Sequence, residues 1–374
     1  MRGVLCAGLA TTLLGLAAAP PAGAVPAKFW GVVPQNVPTY EQLSRAGRGG
    51  VDSVRIPILW NVIQPSQGGP SEWSGVDTVV ENAAAAGVEV LPFLTGAPEW
   101  AVPSAAVPGT HGGIAAAPVR LPVAGAAGEA WSTFLRSAVE RYGPNGTFWA
   151  TNPQVPKRPI RTWQVWNEPN FKYFVTRPNP GQYGKLVRIS SAAIKGADPG
   201  AKVVLAGLFS RPREAIWKVR PPQAFFAADF LAKMYRRTPG IKSKFDGVAI
   251  HPYSTKYTLL EPDVEEVRAV LKANHDLRKG IWITELGWSS EKPDPVHDAF
   301  AKGVSGQVRE LKKSFALLSS HQAKWRLRGV YWFSLEDGSR AACNFCGGSG
   351  LFGPGFVAKR SWYAYVGFAG GSAH

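Results

Sequence analysis

Short apolar segments rich in β-branched and aromatic residues recur along the chain, and most are followed by a longer stretch whose apolar positions have helical spacing. This pattern predicts strands at Phe29–Val33, Val51–Pro57, Val88–Leu94, Thr162–Asn167, Lys202–Leu208, Phe245–Ile250, Gly280–Glu285 and Gly329–Ser334. It predicts helices at Val76–Ala86, Ala130–Tyr142, Gln182–Lys195, Ala224–Arg237, Val264–Leu277 and Ser305–Ser320. Strands that alternate with helices form a parallel sheet with the helices outside, and eight such units predict the α/β class and a single-domain (β/α)8 TIM barrel.

The interval between the third and fourth predicted strands is longer than the others. Residues Gly96 to Gly128 are rich in Ala, Gly and Pro, which predicts an extended loop between the third strand and the third helix of the barrel. Loops that follow strands lie on the catalytic face of such a barrel. We therefore expect this loop either to shape a cleft or to act as a flexible spacer.

Two of the predicted strands end beside a glutamate. Glu168 follows the fourth strand and precedes Pro169, and Glu285 ends the seventh strand before Leu286-Gly287. The C-terminal ends of all barrel strands lie on one face, so these two carboxylates are predicted to meet in one cavity although they are far apart in sequence. Two facing carboxylates are the groups that cleavage of a glycosidic bond requires.

These segments resemble the signatures of a known group of enzymes. Trp166-Asn167-Glu168-Pro169 and Thr284-Glu285-Leu286-Gly287-Trp288 are similar to the strand-four and strand-seven motifs of the clan A retaining glycoside hydrolases. His251-Pro252-Tyr253 resembles the clan's His-x-Tyr element, Arg55 its buried arginine and Trp332 its sugar-platform tryptophan. The segment Lys359 to Tyr365 looks like the last helix of these barrels, so the resemblance extends from Phe29 to Val366.

Within the clan, two families are the nearest in pattern. Family 5 (cellulase) members usually carry a histidine at the end of the third strand, where this chain has none. The ending Pro98-Glu99-Trp100 is more similar to family 39 and its secreted bacterial members. The resemblance implies a retaining mechanism with Glu168 as acid/base and Glu285 as nucleophile, and it implies no metal and no cofactor.

The roles of the other candidate site residues can also be argued from their chemistry and their positions in the chain. Arg55 interrupts an apolar strand, and a buried charge is very unfavourable without a carboxylate partner, which is either Glu285 or a structural acid elsewhere. Asn167 is expected to bind the 2-hydroxyl of a sugar, or else to cap a helix before Pro169. Arg55 and Tyr253 are candidates to keep Glu285 ionised.

Two further candidates have a packing alternative. His251 is expected to position Glu168 or share a proton with it or with substrate, or else to be a hydrogen-bonded core histidine. Trp332 is the candidate platform for a sugar ring, although most of the 14 tryptophans must be packing residues. Trp60, Trp100 and Trp288 are weaker candidates for cleft walls.

The N-terminus and the cysteines both point to export. Arg2, the apolar stretch Val4 to Ala19 and the small-residue site Ala22-Gly23-Ala24 predict a signal peptide at residues 1–24 and a catalytic domain at residues 25–374, with an uncleaved anchor as the alternative. We expect a secreted or cell-wall-associated protein without stable membrane insertion. Cys343 and Cys346 are predicted to form a disulfide, because they are too few for a zinc site and lack a thioredoxin-like context.

The formal net charge is +16. The basic residues are dispersed in small groups, which argues against a nucleic-acid partner and favours either a solvated basic surface or attraction to an acidic or cell-wall glycan. One such group, Arg211, Arg213, Lys218 and Arg220, follows the fifth strand. We expect a carbohydrate substrate and a monomer, with a non-catalytic polysaccharide-binding barrel as the alternative function.

Overall fold

The structure is a computed structural model that describes residues 25–103, 119–210, 221–341 and 343–374. The predicted signal peptide at residues 1–24, including Cys6, lies outside the described residues. The same is true of residues 104–118 in the extended loop and of the basic group between residues 211 and 220. The predicted division between residues 24 and 25 therefore stays a prediction.

Eight parallel strands pair in sequence order and close into a barrel. They are β1 (Trp30–Val33), β2 (Ser53–Leu59), β3 (Glu89–Thr95), β4 (Thr162–Val165), β5 (Lys202–Ser210), β6 (Gly247–Pro252), β7 (Gly280–Leu286) and β8 (Leu327–Phe333). A short antiparallel pair, β9 (Phe352–Gly353) and β10 (Val357–Ala358), follows the barrel. The (β/α)8 TIM barrel predicted from the sequence is confirmed.

Helices follow the strands and cover the outside of the barrel. They are α1 (Tyr40–Arg48), α2 (Trp60–Ile63), α3 (Ser74–Ala85), α4 (Gly125–Tyr142), α5 (Thr147–Thr151), α6 (Pro180–Ala197), α7 (Ala227–Arg237), α8 (Leu260–Ala273), α9 (Gly303–Ser320), α10 (Gln322–Trp325) and α11 (Arg360–Ala369). Single 3-10 turns lie at Ile241–Lys244, Tyr257–Leu259, Cys346–Gly348 and Pro354–Phe356. The extended loop is confirmed as the connection between β3 and α4.

One barrel helix, α1, was predicted neither from the apolar pattern nor from the resemblance. Its N-terminus has a capping box in which Thr39 Oγ1 accepts from the backbone N–H of Gln42, while the Gln42 side chain accepts from the N–H of Thr39. The spacing of a threonine and a glutamine three residues later is a sequence signal for a helix start. That signal would have located α1.

Alternation along each strand separates an outer apolar layer from the barrel interior. On β2, Val54, Ile56 and Ile58 are fully or almost fully buried in the core beneath the helices, whereas Ser53 and Arg55 face inward. At the N-terminal side of the interior, the Tyr331 hydroxyl donates to Ser53 Oγ at 3.1 Å. The interior is therefore a packed core that leaves a site at the C-terminal ends of the strands.

Among the helices in the described ranges, none combines the length and the apolar character that crossing a bilayer requires.

Candidate active site

The end of β4 turns sharply to aim two consecutive polar residues into the barrel. Trp166 has a φ of 72° and Glu168 a φ of 40°, a backbone region that costs a non-glycine residue about 1–3 kcal/mol. The Trp166 ring packs outward against Trp131 of α4, with ring centroids 5.8 Å apart. Because this turn removes the regular alternation, Asn167 and Glu168 can both face the interior.

The end of β7 reaches the same result through an irregular register. The pairing of β7 with β8 shifts between Ile283 and Leu286, as in a β-bulge. Thr284 and Glu285 are neighbours that would face opposite sides in a regular strand. Here Thr284 Oγ1 lies 3.0 Å from His251 Nε2 and Glu285 Oε1 lies 2.7 Å from Arg55 Nη1, so both side chains face inward.

The two carboxylates meet, as the sequence predicts. One oxygen of Glu168, one oxygen of Glu285 and a ring nitrogen of His251 all lie within 4.8 Å of one another. The Glu168 side chain is 9% exposed and the Glu285 side chain 13% exposed. Retaining glycosidases have carboxyl groups about 5–5.5 Å apart and inverting ones about 6.5–9.5 Å apart. The close approach fits the retaining arrangement.

Arg55 is fully buried and uses three guanidinium nitrogens on three partners. Nη1 donates to Glu285 Oε1 at 2.7 Å, Nη2 to Asn167 Oδ1 at 2.6 Å and Nε to Gln164 Oε1 at 2.7 Å. Burial lowers the pKa of Arg55, and the Glu285 charge opposes this change. An arginine remains protonated in proteins, so Arg55 is a fixed cation beside Glu285.

Each Glu285 oxygen accepts a hydrogen bond. Oε1 accepts from Arg55, and Oε2 accepts from the Tyr253 hydroxyl at 2.8 Å. Burial raises the pKa of Glu285, whereas the Arg55 charge and the Tyr253 hydrogen bond act in the opposite direction. Arg55 and Tyr253 therefore occupy the positions predicted for groups that favour the ionised form.

His251 connects Glu168 to the same buried network. Because Gln164 Oε1 accepts from Arg55, Gln164 Nε2 is the donor to Thr284 Oγ1 at 3.3 Å. The Thr284 hydroxyl can then donate to His251 Nε2, which leaves the ring proton on Nδ1 to be donated to Glu168 Oε1 at 2.7 Å. Burial, with the Arg55 charge, lowers the pKa of His251 well below its ordinary value, so the ring is neutral.

The His251 ring fits only because its neighbour on β5 is a glycine. A Cβ at Gly207 would lie 1.8 Å from His251 Nε2. The strand therefore needs a residue without a side chain at this point. Gly207 is a site residue that no pattern in the sequence singles out.

Asn167 is 4% exposed and is held by Arg55 through Oδ1. Its amide Nδ2 is thereby oriented as the donor, which is the group a sugar hydroxyl would accept from. The alternative of a helix cap before Pro169 is not the arrangement observed, because Pro169 and Asn170 begin a turn and the next helix is α6.

The prediction that Trp332 is a sugar platform is wrong. Trp332 is fully buried, its Nε1 donates to the Ser349 carbonyl at 2.9 Å, and its ring packs against Trp288 and against Phe315 of α9. Alternation on β8 directs it outward beneath the helices, where no sugar can reach it. The following residue, Phe333, is half-buried, and its ring centroid lies 6.3 Å from that of Tyr253.

The weaker tryptophan candidates for cleft walls differ in their burial. Trp60 and Trp288 are fully buried, so neither forms a cleft wall. Trp100 is half-buried, and its Nε1 donates to the Gln64 carbonyl at 3.0 Å.

Sequence reasoning also missed the two residues that connect the network, Gln164 and Thr284. Both are fully buried. Each is a polar residue within an otherwise apolar predicted strand, a position where a side chain needs a hydrogen-bond partner. That signal was present in the sequence.

Glu168, Glu285 and His251 are close enough together to be considered as metal ligands. However, both Glu285 oxygens already accept hydrogen bonds, and the Arg55 guanidinium bound at 2.7 Å would repel a second cation. His251 directs Nδ1 at Glu168. These donors fit a carboxylate pair held by protein groups and do not fit a metal centre.

Cys343 and Cys346 form the predicted disulfide, with an S–S distance of 1.96 Å. It lies in the connection between β8 and β9, close to the cleft.

Comparison with known proteins agrees with this geometry. No protein-family model matches the chain. The chain is 26% identical over 229 residues to a β-xylosidase from Geobacillus stearothermophilus. The alignment covers 56% of this chain and 41% of the relative, so the chain spans about two-fifths of the length of that curated protein.

Solved structures are similar over most of the described barrel. A family 39 glycoside hydrolase from Bacteroides cellulosilyticus has a TM-score of 0.62 at 17% identity, covering 91% of this chain and 63% of the other. A monomeric β-xylosidase from Caulobacter crescentus has a TM-score of 0.62 at 19% identity, covering 92% and 69%. A family 5, subfamily 18 protein from Bifidobacterium longum has a TM-score of 0.62 at 14% identity, covering 92% and 78%. The fold is that of the clan A glycoside hydrolases. In this clan A fold, Glu168 lies just after β4 and Glu285 is the penultimate residue of β7, on the two strands that the resemblance implies.

Proposed function

We propose that this protein is a retaining glycoside hydrolase that cleaves O-glycosidic bonds of an oligosaccharide or polysaccharide. The observation that carries the proposal is the pair of nearly buried carboxylates within 4.8 Å of each other, each held by different partners. Glu285 contacts a fixed cation and a hydroxyl donor, whereas Glu168 contacts a neutral imidazole. Environments that differ in this way assign the two roles of acid/base and nucleophile.

In the first step, a Glu285 oxygen attacks the anomeric carbon as the bond from that carbon to the leaving oxygen breaks. Glu168 gives its proton to the leaving oxygen, so the aglycone departs as an alcohol. The product is an ester between the sugar and Glu285. Arg55 and Tyr253 hold the carboxylate in place before the attack, and Asn167 Nδ2 is oriented to donate to the sugar 2-hydroxyl.

In the second step, Glu168 is ionised and removes a proton from water. The water oxygen attacks the anomeric carbon, the ester bond breaks, and Glu285 leaves as a carboxylate. His251 Nδ1–H stabilises the Glu168 carboxylate that forms between the steps. A sugar hydroxyl in place of water would give transglycosylation with the same residues.

The substrate class is proposed from the relatives and from charge. Two of the similar proteins are named β-xylosidases, so β-xylosides are the first substrates to test. The net charge of +16 adds acidic and cell-wall glycans to the candidates. We also propose export by the segment at residues 1–24, which is tested by N-terminal sequencing of protein recovered from the culture medium.

The mechanism is tested with a panel of 2-deoxy-2-fluoro-glycosides that carry a dinitrophenyl leaving group. The wild-type protein is expected to form a covalent adduct on Glu285, identified by peptide mass spectrometry. Glu168→Gln should still be labelled, because this leaving group needs no proton, but its adduct should turn over more slowly. Glu285→Gln should not be labelled. Proton NMR of the first-formed sugar should show retained anomeric configuration.

Three other outcomes would contradict parts of the proposed mechanism. An inverted first product would overturn the retaining mechanism. Tight binding of sugars across the panel, without labelling or turnover, would instead support the non-catalytic polysaccharide-binding barrel. Labelling of a residue other than Glu285 would contradict the assignment of the nucleophile.

A further inference from the structure

The Tyr253 ring contacts Phe209 of β5, with ring centroids 6.4 Å apart, and a separate group of three phenylalanine rings from the loop after β7, the end of β8 and the connection between β8 and β9. Its ring centroid is 5.3 Å from that of Phe345, 5.9 Å from that of Phe300 and 6.3 Å from that of Phe333. Phe345 also contacts the other two rings, at 5.0 Å from Phe300 and 5.8 Å from Phe333. Phe345 therefore touches every ring of this group, which limits how the Tyr253 ring can move.

Phe345 is the residue immediately before Cys346 in the ring of chain closed by the disulfide. Cys346 is buried, and its carbonyl accepts from the Gly338 N–H at 2.9 Å. Asn344 Nδ2 donates to the His297 carbonyl in the loop after β7 at 3.3 Å. The short segment from Cys343 to Cys346 is thus attached to the loop after β7 and to the first part of its own connection after β8, and Phe345 contacts Tyr253.

The position of the Tyr253 ring has a direct chemical consequence. Its hydroxyl donates to Glu285 Oε2 at 2.8 Å, and O–H···O hydrogen bonds in proteins have donor–acceptor distances of about 2.5–3.0 Å. A ring shift of less than an ångström would therefore loosen one of the two hydrogen bonds that hold the nucleophile. The other hydrogen bond to Glu285, from Arg55 Nη1 to Oε1, would remain.

We propose that Phe345, held by the Cys343–Cys346 disulfide, is a positioning residue that keeps the Tyr253 hydroxyl on Glu285. The activity of the enzyme then depends on the oxidised disulfide. This inference rests on the proposed glycosidase function. It adds a residue outside the strand-end motifs to the machinery, and it assigns the disulfide a role in the chemistry of the cleft.

A double-mutant cycle tests the coupling of Phe345 to Tyr253. Phe345→Ala is expected to reduce the rate of labelling of Glu285 and kcat/KM by about tenfold, whereas in a Tyr253→Phe background it should reduce them less than about threefold. Phe345→Tyr keeps the ring and should restore most of the rate. Equal effects of Phe345→Ala in both backgrounds would overturn the inference, because Phe345 would then act without Tyr253.

The disulfide is tested in the same assay. Cys343→Ser combined with Cys346→Ser, or treatment of the wild type with a thiol reductant, should lower the rate to about the level of Phe345→Ala. Reduction of Phe345→Ala itself should then have little further effect. An unchanged rate in protein whose two thiols are shown to be free would contradict the role of the disulfide.

A matched control separates positioning from loss of packing. Phe356 is also half-buried, but it lies in the turn between β9 and β10 and stacks on Phe352. Phe356→Ala should leave the rate of Glu285 labelling unchanged in both the wild-type and the Tyr253→Phe background, even where it lowers Tm as much as Phe345→Ala does. All variants are compared well below their Tm.

A second readout needs no activity. Burial raises the pKa of Tyr253 well above its ordinary value of 10.0, and the Glu285 charge adds to this. Loosening the ring should let one more tyrosine titrate near that ordinary value in Phe345→Ala than in the wild type, measured by ultraviolet difference absorbance. The extra tyrosine should be absent in the Phe345→Ala/Tyr253→Phe variant. An unchanged count would overturn the inference even if no glycosidase activity were found, and absence of labelling in the wild type would count against the proposed function alone.

Discussion

Arg55 joins the nucleophile to the strand that carries the acid/base. Its three nitrogens contact Glu285, Asn167 and Gln164 with distances of 2.6 to 2.7 Å. A lysine has a single ammonium and cannot reproduce this planar arrangement of donors. The arginine therefore fixes the relative positions of β2, β4 and β7 as well as supplying charge.

Replacing Arg55 by methionine would remove the charge and leave Glu285 buried without its cation. We expect the free energy of unfolding to fall by about 3–5 kcal/mol, because breaking a buried ion pair leaves an uncompensated charge. Urea unfolding measures this change. In a Glu285→Gln background the same replacement should cost at least about 1 kcal/mol less, since no charge remains there. Equal costs would show that the ion pair is not what stabilises this site.

The pH dependence of the proposed activity is also determined by single residues of the site. Glu285 must be ionised to attack, and burial raises its pKa above the ordinary value of 4.5. The rate should therefore be lost as the pH falls through this raised pKa, so the acidic limb of kcat/KM lies above pH 4.5. Tyr253→Phe removes a hydrogen bond to the charged form and should move that limb upward by about one pH unit.

Tyr331→Phe is the matched control for this pH profile. Tyr331 is also a buried tyrosine inside the barrel, but its hydroxyl donates to Ser53. Its removal should leave the acidic limb in place. A limb that shifts equally in both variants, or that moves downward in Tyr253→Phe, would contradict the role of the Tyr253 hydroxyl.

At the scale of elements, strand positions could be predicted from the apolar pattern, whereas the facing of single side chains could not. The observed barrel strands begin and end within two residues of every predicted boundary. The positive φ of Trp166 and the register shift in β7 depend on contacts made only in the closed barrel. These two irregularities direct Glu168 and Glu285 inward. Strict alternation would not have predicted that the glutamates and their neighbours Asn167 and Thr284 face the same side.

The facing of Trp332 and Phe333 on β8 follows from the regular alternation of side chains along a strand. Trp332 packs outward under α9, and the half-buried Phe333 faces Tyr253. Trp332→Phe should lower Tm, because it removes the hydrogen bond to Ser349 and leaves unfilled volume, with an unchanged KM. Phe333→Ala should raise KM about three- to tenfold through loss of an aromatic cleft wall. Steady-state kinetics and thermal unfolding of both variants check this, and the reversed pattern would restore Trp332 as the sugar platform.

For the whole molecule, the sequence predicted the closed barrel and the meeting of its two carboxylates, because strand order determines where strand ends lie. It did not predict the buried relay through Gln164 and Thr284, since which polar side chains meet across a barrel depends on tilt and register. The disulfide was predicted from two cysteines, but its contact with the cleft through Phe345 arises from loop packing.

The net charge of +16 acts at this largest scale and concerns the choice of glycan. Dispersed charges attract a polyanion over distances set by the Debye length, about 10 Å at 0.1 M salt and 3 Å at 1 M. Binding to an acidic polysaccharide such as polygalacturonate should therefore weaken by at least about tenfold when salt is raised from about 0.05 M to 0.5 M. Binding to neutral xylan should stay nearly constant.

Turnover of an uncharged aryl glycoside is the control for this salt dependence. Its reacting groups are buried with Arg55 and Glu285, where added salt screens little, so kcat/KM should change less than about twofold over the same range. Sedimentation of the protein with insoluble glycan measures the first effect and initial rates measure the second. Salt-independent binding to the acidic glycan would mean that the basic surface is merely solvated. A parallel loss of turnover would mean instead that salt perturbs the fold, because a surface attraction to polymer has no reason to alter chemistry on a small neutral substrate.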